Sequence, residues 1–424
     1  MRAMPFRGPY CGLLQMILLF AAAAGASAES WPEFRGPGGQ GHSSEQKLPV
    51  RWDASTHVDW KKRIEGKGWS SPVIYNDRIY LTTALAADDG DESDQSLRVL
   101  CLDVKTGNSI WNIEVFEWEA TENTNIHAKN SHASPTPITD GKRLYVHFGT
   151  KSTAALDFDG TVIWKNQNIL YDPNHGSGGS PILSGRSLIF SCDGADKAFV
   201  VALDCASGRL LWQTDRPPVE SQRFSFSTPL EIDVNGRKQI VSPGSHVVCS
   251  YDSKTGREIW RVPYPNKWSI IPRPVYAHGL VFVCTGFEGP ATLLAIRPDG
   301  SGDVTETHIA WQTTKGAPHT PSPLVVGNAI YIVSDNGVAS CLDVGTGELH
   351  WRQRLGGNYS SSPLFADGKI YFQSEQGEGI VIKAGTEYQE VSRNLLGERT
   401  LASYAVSDGA LFIRTLEHLY RIGD

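Results

Sequence analysis

The sequence contains no CxxC pair, no CxxCH, no GxSxG elbow and no HExxH pair. The first two absences remove a zinc knuckle, dithiol redox chemistry and a covalently attached haem. The last two leave hydrolase and zinc-protease readings without support. Positive charge is also short: 39 Lys and Arg stand against 46 Asp and Glu, a formal net charge of −7. That sign does not suit a nucleic-acid or anionic-membrane partner. Beyond residue 28 there is no apolar run long enough to cross a bilayer, and no convincing helical stretch.

Residues 1–28 carry Arg2 and Arg7, an apolar run from Leu13 to Ala24, and then Ala26-Ser27-Ala28. That order reads as a secretory signal cleaved near Ala28, because the run is short for a membrane anchor. Cys11 precedes the apolar run, whereas a lipoprotein needs its cysteine at the cleavage point. The mature chain is therefore expected to be exported, periplasmic or secreted, without a transmembrane segment. It keeps Cys101, Cys192, Cys205, Cys249, Cys284 and Cys341. Cys101 and Cys341 occupy one slot of an apolar strand in two repeats, which favours free buried thiols. The even number keeps disulfides as the alternative.

The most regular feature is a tryptophan that follows one turn. Asp103-Val-Lys-Thr106-Gly107-Asn-Ser-Ile-Trp111 returns at Asp204 to Trp212, Asp252 to Trp260 and Asp343 to Trp351, with looser copies ending at Trp60, Trp164 and Trp311. The indoles recur about 50 residues apart, a period that marks a repeat architecture. Between them lie short β-rich segments separated by Gly, Asp and Asn turns. Four such strands cannot bury their faces alone, but radial stacking does so, which makes an all-β propeller of four-stranded antiparallel blades. Opening strands at Ser71, Ser134, Ser180, Ser227, Pro272, Ser322, Ser362 and Ser403 count eight blades, with seven as the fallback. The last unit, 401–422, lacks an outer strand, and 57–64 lacks opening strands, so the two ends are expected to share one blade. The chain then divides into a signal (1–28), a lead-in (29–56) and the propeller (57–424). Trp60, Trp111, Trp164, Trp212, Trp260, Trp311 and Trp351 are expected to dock on neighbouring blades. The seventh unit, Thr386 to Leu396, has no tryptophan and is expected to dock less firmly.

The docking turn, the Ser-Ser-Pro opening and the start Trp31-Pro-Glu-Phe-Arg35-Gly-Pro-Gly-Gly-Gln-Gly41 resemble the PQQ-like β-propeller repeat proteins. That group includes the outer-membrane assembly factor BamB and the quinoprotein dehydrogenases, and the likeness covers essentially the whole mature chain. It implies either a non-catalytic envelope scaffold, BamB-like, with envelope proteins as partners, or an oxidoreductase with pyrroloquinoline quinone (PQQ) and calcium in the central funnel. The quinoprotein set includes adjacent disulfide-bonded cysteines, and this sequence has no Cys-Cys pair. No catalytic base and no metal ligands are therefore assigned, because function resides in sites and not in the propeller itself.

The loops before each opening strand face one end of the ring. They bring forward Trp69, His132, His175, Arg223, Trp268, His319, Tyr359 and Arg399 as candidate funnel residues. Aromatics and cations aimed at one cavity suit a small planar anion or a sugar; the alternative is that each side chain only caps its own blade. A metal on His132, His175 and His319 is disfavoured by eightfold spacing. Gly36 to Gly41 matches GxGxxG in letters only, since no strand precedes it. Asp88 to Asp94 reads as an acidic hairpin tip rather than a calcium loop.

Overall fold

The computed structural model describes residues 1, 4, 5, 8, 29–86, 94–118, 126–219, 221, 223–265 and 267–423. Most of the signal segment and of the acidic tip at Asp88 to Asp94 lies outside the described residues.

Eight antiparallel sheets form, one from each expected unit. Blades 1 to 7 span 73–118, 138–166, 182–215, 230–263, 275–313, 324–354 and 364–395. Blade 8 takes three strands from 405–422 and its outer strand from Val58–Arg63, which pairs antiparallel with His418–Ile422. The ring therefore closes with strands from both ends of the chain. Glu398 locks this closure. Its carboxylate accepts bonds from Lys61 Nζ (2.6 Å), Tyr420 OH (2.6 Å), Thr415 Oγ1 (2.7 Å) and His418 Nδ1 (2.9 Å). Burial alone would raise this carboxyl, but the four bonds outweigh it and bring it from 4.5 down to about 2. A depressed carboxyl stabilises the fold fully above its unfolded value and ceases to do so as pH falls through the folded one. The midpoint gap between the wild type and Glu398→Gln should thus be largest above pH 4.5 and close towards pH 2. Parallel curves across that range in denaturant titrations would contradict the assignment.

Each outer strand carries a β-bulge, one residue before the tryptophan wherever there is one. The bulge turns the strand so that the indole meets the next blade. Six indoles then donate to a backbone oxygen of the next blade's turn: Trp60 to Val104, Trp111 to Phe158, Trp164 to Cys205, Trp212 to Ser253, Trp311 to Val344 and Trp351 to Gly385. The Thr-Gly glycine has two duties here. Gly256 has φ +72°, and a Cβ there would come 2.5 Å from the Trp212 ring. Only glycine meets both demands.

Three features depart from the sequence reading. Trp260 bonds Gln239 Oε1 of its own sheet at 2.9 Å. Blade 4 also carries a fifth strand, Gly302–Asp303, which runs parallel to Trp260–Arg261 and is followed by the single-turn helix Thr305–His308. In the seventh unit, the lead-in supplies the missing indole. Trp52 is buried, its backbone N–H donates to Asn394 Oδ1 (3.0 Å), and its ring sits where a Cβ on Gly379 would be. The seam between blades 7 and 8 is therefore not left without a tryptophan.

Blades 3 and 4 share a buried ion pair. Arg216 Nε and Nη2 meet the two Asp193 oxygens at 2.6 and 3.0 Å, with side-chain exposures of 2% and 0%. The same guanidinium donates to Ser242 O (2.9 Å) and Ser242 Oγ (2.7 Å) of blade 4. Cys101, Cys192, Cys205, Cys249, Cys284 and Cys341 are free and buried, the preferred reading of the sequence.

Candidate functional site

The position two residues before the inner strand repeats as Ser71, Thr136, Ser180, Thr228, Ser322, Ser362 and Ser403. In blade after blade, its backbone N–H donates to the next blade's hydroxyl. The bonds are Ser71 to Thr136 (3.0 Å), Thr136 to Ser180 (2.9 Å), Ser180 to Thr228 (2.9 Å), Ser322 to Ser362 (3.0 Å), Ser362 to Ser403 (2.9 Å) and Ser403 to Ser71 (3.1 Å). Blade 5 interrupts this girdle with Arg273, whose N–H still donates to Ser322 Oγ (3.0 Å). Its guanidinium turns to the lead-in instead, bonding Phe34 O (2.6 Å) and Glu33 Oε2 (2.8 Å).

That lead-in closes one end of the channel. Trp31 bridges Ile74 of blade 1, Pro32 O accepts from Thr139 of blade 2, and His42 Nε2 lies 2.7 Å from Val325 O of blade 6. Contacts to blades 1 and 5, on opposite sides of an eightfold ring, require the segment to cross the axis. Gly39 permits the crossing, since a Cβ there would fall 2.0 Å from the Arg273 guanidinium. The stretch that matched GxGxxG is thus a stopper containing one 3-10 turn, Pro37–Gly39, and no dinucleotide loop.

Above the stopper is a blind chamber of about 480 Å³. Phe34 contributes to its floor and the seven hydroxyl residues to its wall. Trp69, Phe226 and Phe287 add aromatic surface, and His127, Lys129, His175, His319 and Asp335 lie nearer the open end. His319 is held firmly: its backbone N–H donates to Asp335 Oδ2 (2.7 Å), Nε2 lies 3.0 Å from Gly289 O, and its ring stacks on Phe287 at 4.4 Å. The Asp335 carboxylate also faces the ring, Oδ2 3.7 Å from Nδ1, and raises the imidazole pKa above the ordinary 6.5. His175 shifts the other way, through burial and then through His127, whose ring is 5.8 Å distant. Lys129 reaches from the loop before blade 2 to Glu375 of blade 7, Nζ to Oε1 2.6 Å, and Ser360 Oγ donates to the same oxygen at 2.6 Å.

Of the eight candidate funnel residues, the chamber brings together Trp69, His175 and His319. Arg399 lies behind Trp69, its guanidinium 5.9 Å from the ring centre. His132 falls in a separate side groove of about 1070 Å³ beside Trp118, their rings 5.4 Å apart. Arg223 donates to Val219 O and Asp196 O, so it pins its own loop. Trp268 bridges the backbone of Phe287, and Tyr359 is fully buried in the core that includes Trp351. The loops converge as expected, but five of the side chains face elsewhere. His132 is thereby separated from His175 and His319, and no group of three or more His, Cys, Asp or Glu converges among the described residues.

The sequence reading missed His127, Lys129, Phe34, Asp335 and Glu375. The last two lie in the hairpins Ser334-Asp335-Asn336-Gly337 and Ser374-Glu375-Gln376-Gly377. Those turns join the second and third strands, so they lie at the same end of the ring as the loops that were considered. No cysteine lines the chamber among the described residues, so the adjacent disulfide-bonded cysteines of the quinoprotein set have no counterpart on this wall. Asp335 is engaged by His319, Glu375 by Lys129 and Ser360, and the cysteines are free and buried.

A family model described as "Outer membrane protein assembly factor BamB" matches residues 93–229, 196–300 and 302–413. No curated protein matches the chain in sequence. Among solved structures, BamB from Moraxella catarrhalis aligns at 13% identity and TM-score 0.57, covering 85% of this chain and 98% of that one. Sqt1 from Saccharomyces cerevisiae aligns at 9% identity and TM-score 0.57, covering 90% and 100%. The computationally designed Ika8 protein aligns at 12% identity and TM-score 0.55, covering 86% and 100%. At these identities the structures speak for the fold alone. The family model, however, runs from blade 1 into blade 8 over the turns that dock the tryptophans, and the chain belongs to the PQQ-like β-propeller family.

Proposed function

We propose that this protein is an exported, non-catalytic binding propeller of the cell envelope whose receptor is the blind central chamber. The observation that carries the reading is the stopper: residues 31–43 cross the axis and turn a through-channel into a cup. A cup of about 480 Å³ with aromatic surface and a few fixed polar groups has the size and lining of a small-molecule site. The signal-like start supports export, and the resemblance to BamB supports envelope proteins as partners.

The rim offers such partners apolar contacts. Ile110, Ile163 and Leu211, each at the bulge of its outer strand, are exposed, whereas the equivalent Ile259 is buried in blade 4, where Gly302–Asp303 and the short helix lie alongside.

The test is a thermal-shift screen of the mature protein with small acids, amides and sugars. A ligand at 100 times its Kd should add about 2.7 kcal/mol of stability by mass action. Phe34→Ala and Trp69→Ala should weaken that ligand. Alcohol or sugar oxidation on reconstitution with PQQ and calcium would overturn the non-catalytic reading. Recovery of the protein from the cytoplasm alone would overturn the envelope reading.

A further inference from the structure

The chamber's polar wall is built of donors. Each of the seven girdle hydroxyls uses a lone pair to accept a neighbouring backbone N–H. Among the described residues, none of the seven is seen giving its own proton to a protein acceptor, so each keeps an O–H free to donate to a ligand. Lys129 adds a cation, and His319 adds a ring held by Gly289 O and Phe287. The acceptors nearby are already engaged, Asp335 by His319 and Glu375 by Lys129 and Ser360. A carboxylate, which only accepts, can use these free O–H groups without calling on the hydroxyls' remaining lone pairs.

Glu375 supplies the second observation. Its side chain is 8% exposed, yet it projects from blade 7 to meet a lysine from the loop before blade 2, so the molecule sets its own carboxylate at the chamber mouth. We infer that the chamber is a receptor for small organic carboxylates, and that Glu375 occupies Lys129 as an internal surrogate which the ligand's carboxylate replaces. The apolar body of the ligand lies against Trp69, Phe226 and Phe287, and its further oxygens accept from the hydroxyl girdle. This assignment rests on the chamber being the receptor site. It adds the chemical class of the ligand and the residue that competes with it.

The experiment is calorimetric titration of the mature chain with benzoate, phthalate and succinate, each matched by its uncharged amide. At least one acid should bind ten times or more tightly than its amide. Lys129→Gln should weaken that acid tenfold and leave the amide unchanged. Glu375→Gln should tighten the acid at least threefold by removing the competing charge, and circular dichroism should show both variants folded as the wild type. Amides that bind as well as acids, or tighter binding by sugars, would overturn the carboxylate assignment and leave the chamber reading standing. Silence from every acid, amide and sugar would overturn both. An unchanged acid affinity in Glu375→Gln would overturn the surrogate role alone.

Discussion

Arg216→Ala should lower stability by about 3–5 kcal/mol, the cost of leaving a buried carboxylate without its partner. Asp193 has no exposed side-chain surface, so water cannot replace the two bonds from the guanidinium. Ser242 of blade 4 would lose its donors as well, which carries the damage across the seam. The pair is not expected to be worth that amount in net terms. Replacing both charges, as Arg216→Met with Asp193→Leu, should recover most of the loss, because desolvation of the two ions is removed with them. Urea titrations of the two single variants and the double variant give the comparison. A loss below about 1 kcal/mol in Arg216→Ala would mean that the seam does not depend on this charge.

Trp212→Ala should cost about 3–5 kcal/mol, since it empties a site that the turn of blade 4 was shaped to cover. The indole is 8% exposed, lies under Gly256 and donates to Ser253 O at 3.3 Å. Trp212→Phe keeps much of the packing and removes the bond, so its cost should be nearer 1 kcal/mol beyond the lost area. Gly256→Val should be as damaging as Trp212→Ala from the opposite side of the contact. Its Cβ would meet the ring at 2.5 Å, and a β-branched residue resists φ +72°. Denaturant midpoints for the three variants test the order. If Gly256→Val were neutral, the turn would not be the socket described above.

The blade count and the ring closure were legible because both are carried by periodic signals. An aspartate and glycine turn followed by an indole states which strand faces the next blade, and it does so in most units. Trp52 and Trp260 escaped that logic for different reasons. Trp52 belongs to a segment outside the repeat, and nothing in its spacing says which seam it fills. Trp260 lies beside Gly302–Asp303, a strand of two exposed residues with no apolar pattern to announce it. The chamber was legible only to the level of loops. His175 takes a left-handed backbone at φ +66°, and such local turns decide whether a side chain enters the channel. Phe34 was hidden for a simpler reason: a segment that crosses the axis has no counterpart in any other blade.

The closure of the ring also sets an order for synthesis and folding. Lys61 leaves the ribosome 337 residues ahead of Glu398. Until the last strand arrives, blade 8 has no inner three strands, and the segment 58–63 has nothing to pair with. The growing chain is therefore an open crescent with one unsatisfied edge at its leading end, and contacts of such separation form late and slowly. A protein that keeps its first strand waiting in this way cannot complete its ring for most of its synthesis. It becomes a closed body only after His418–Ile422 has been made.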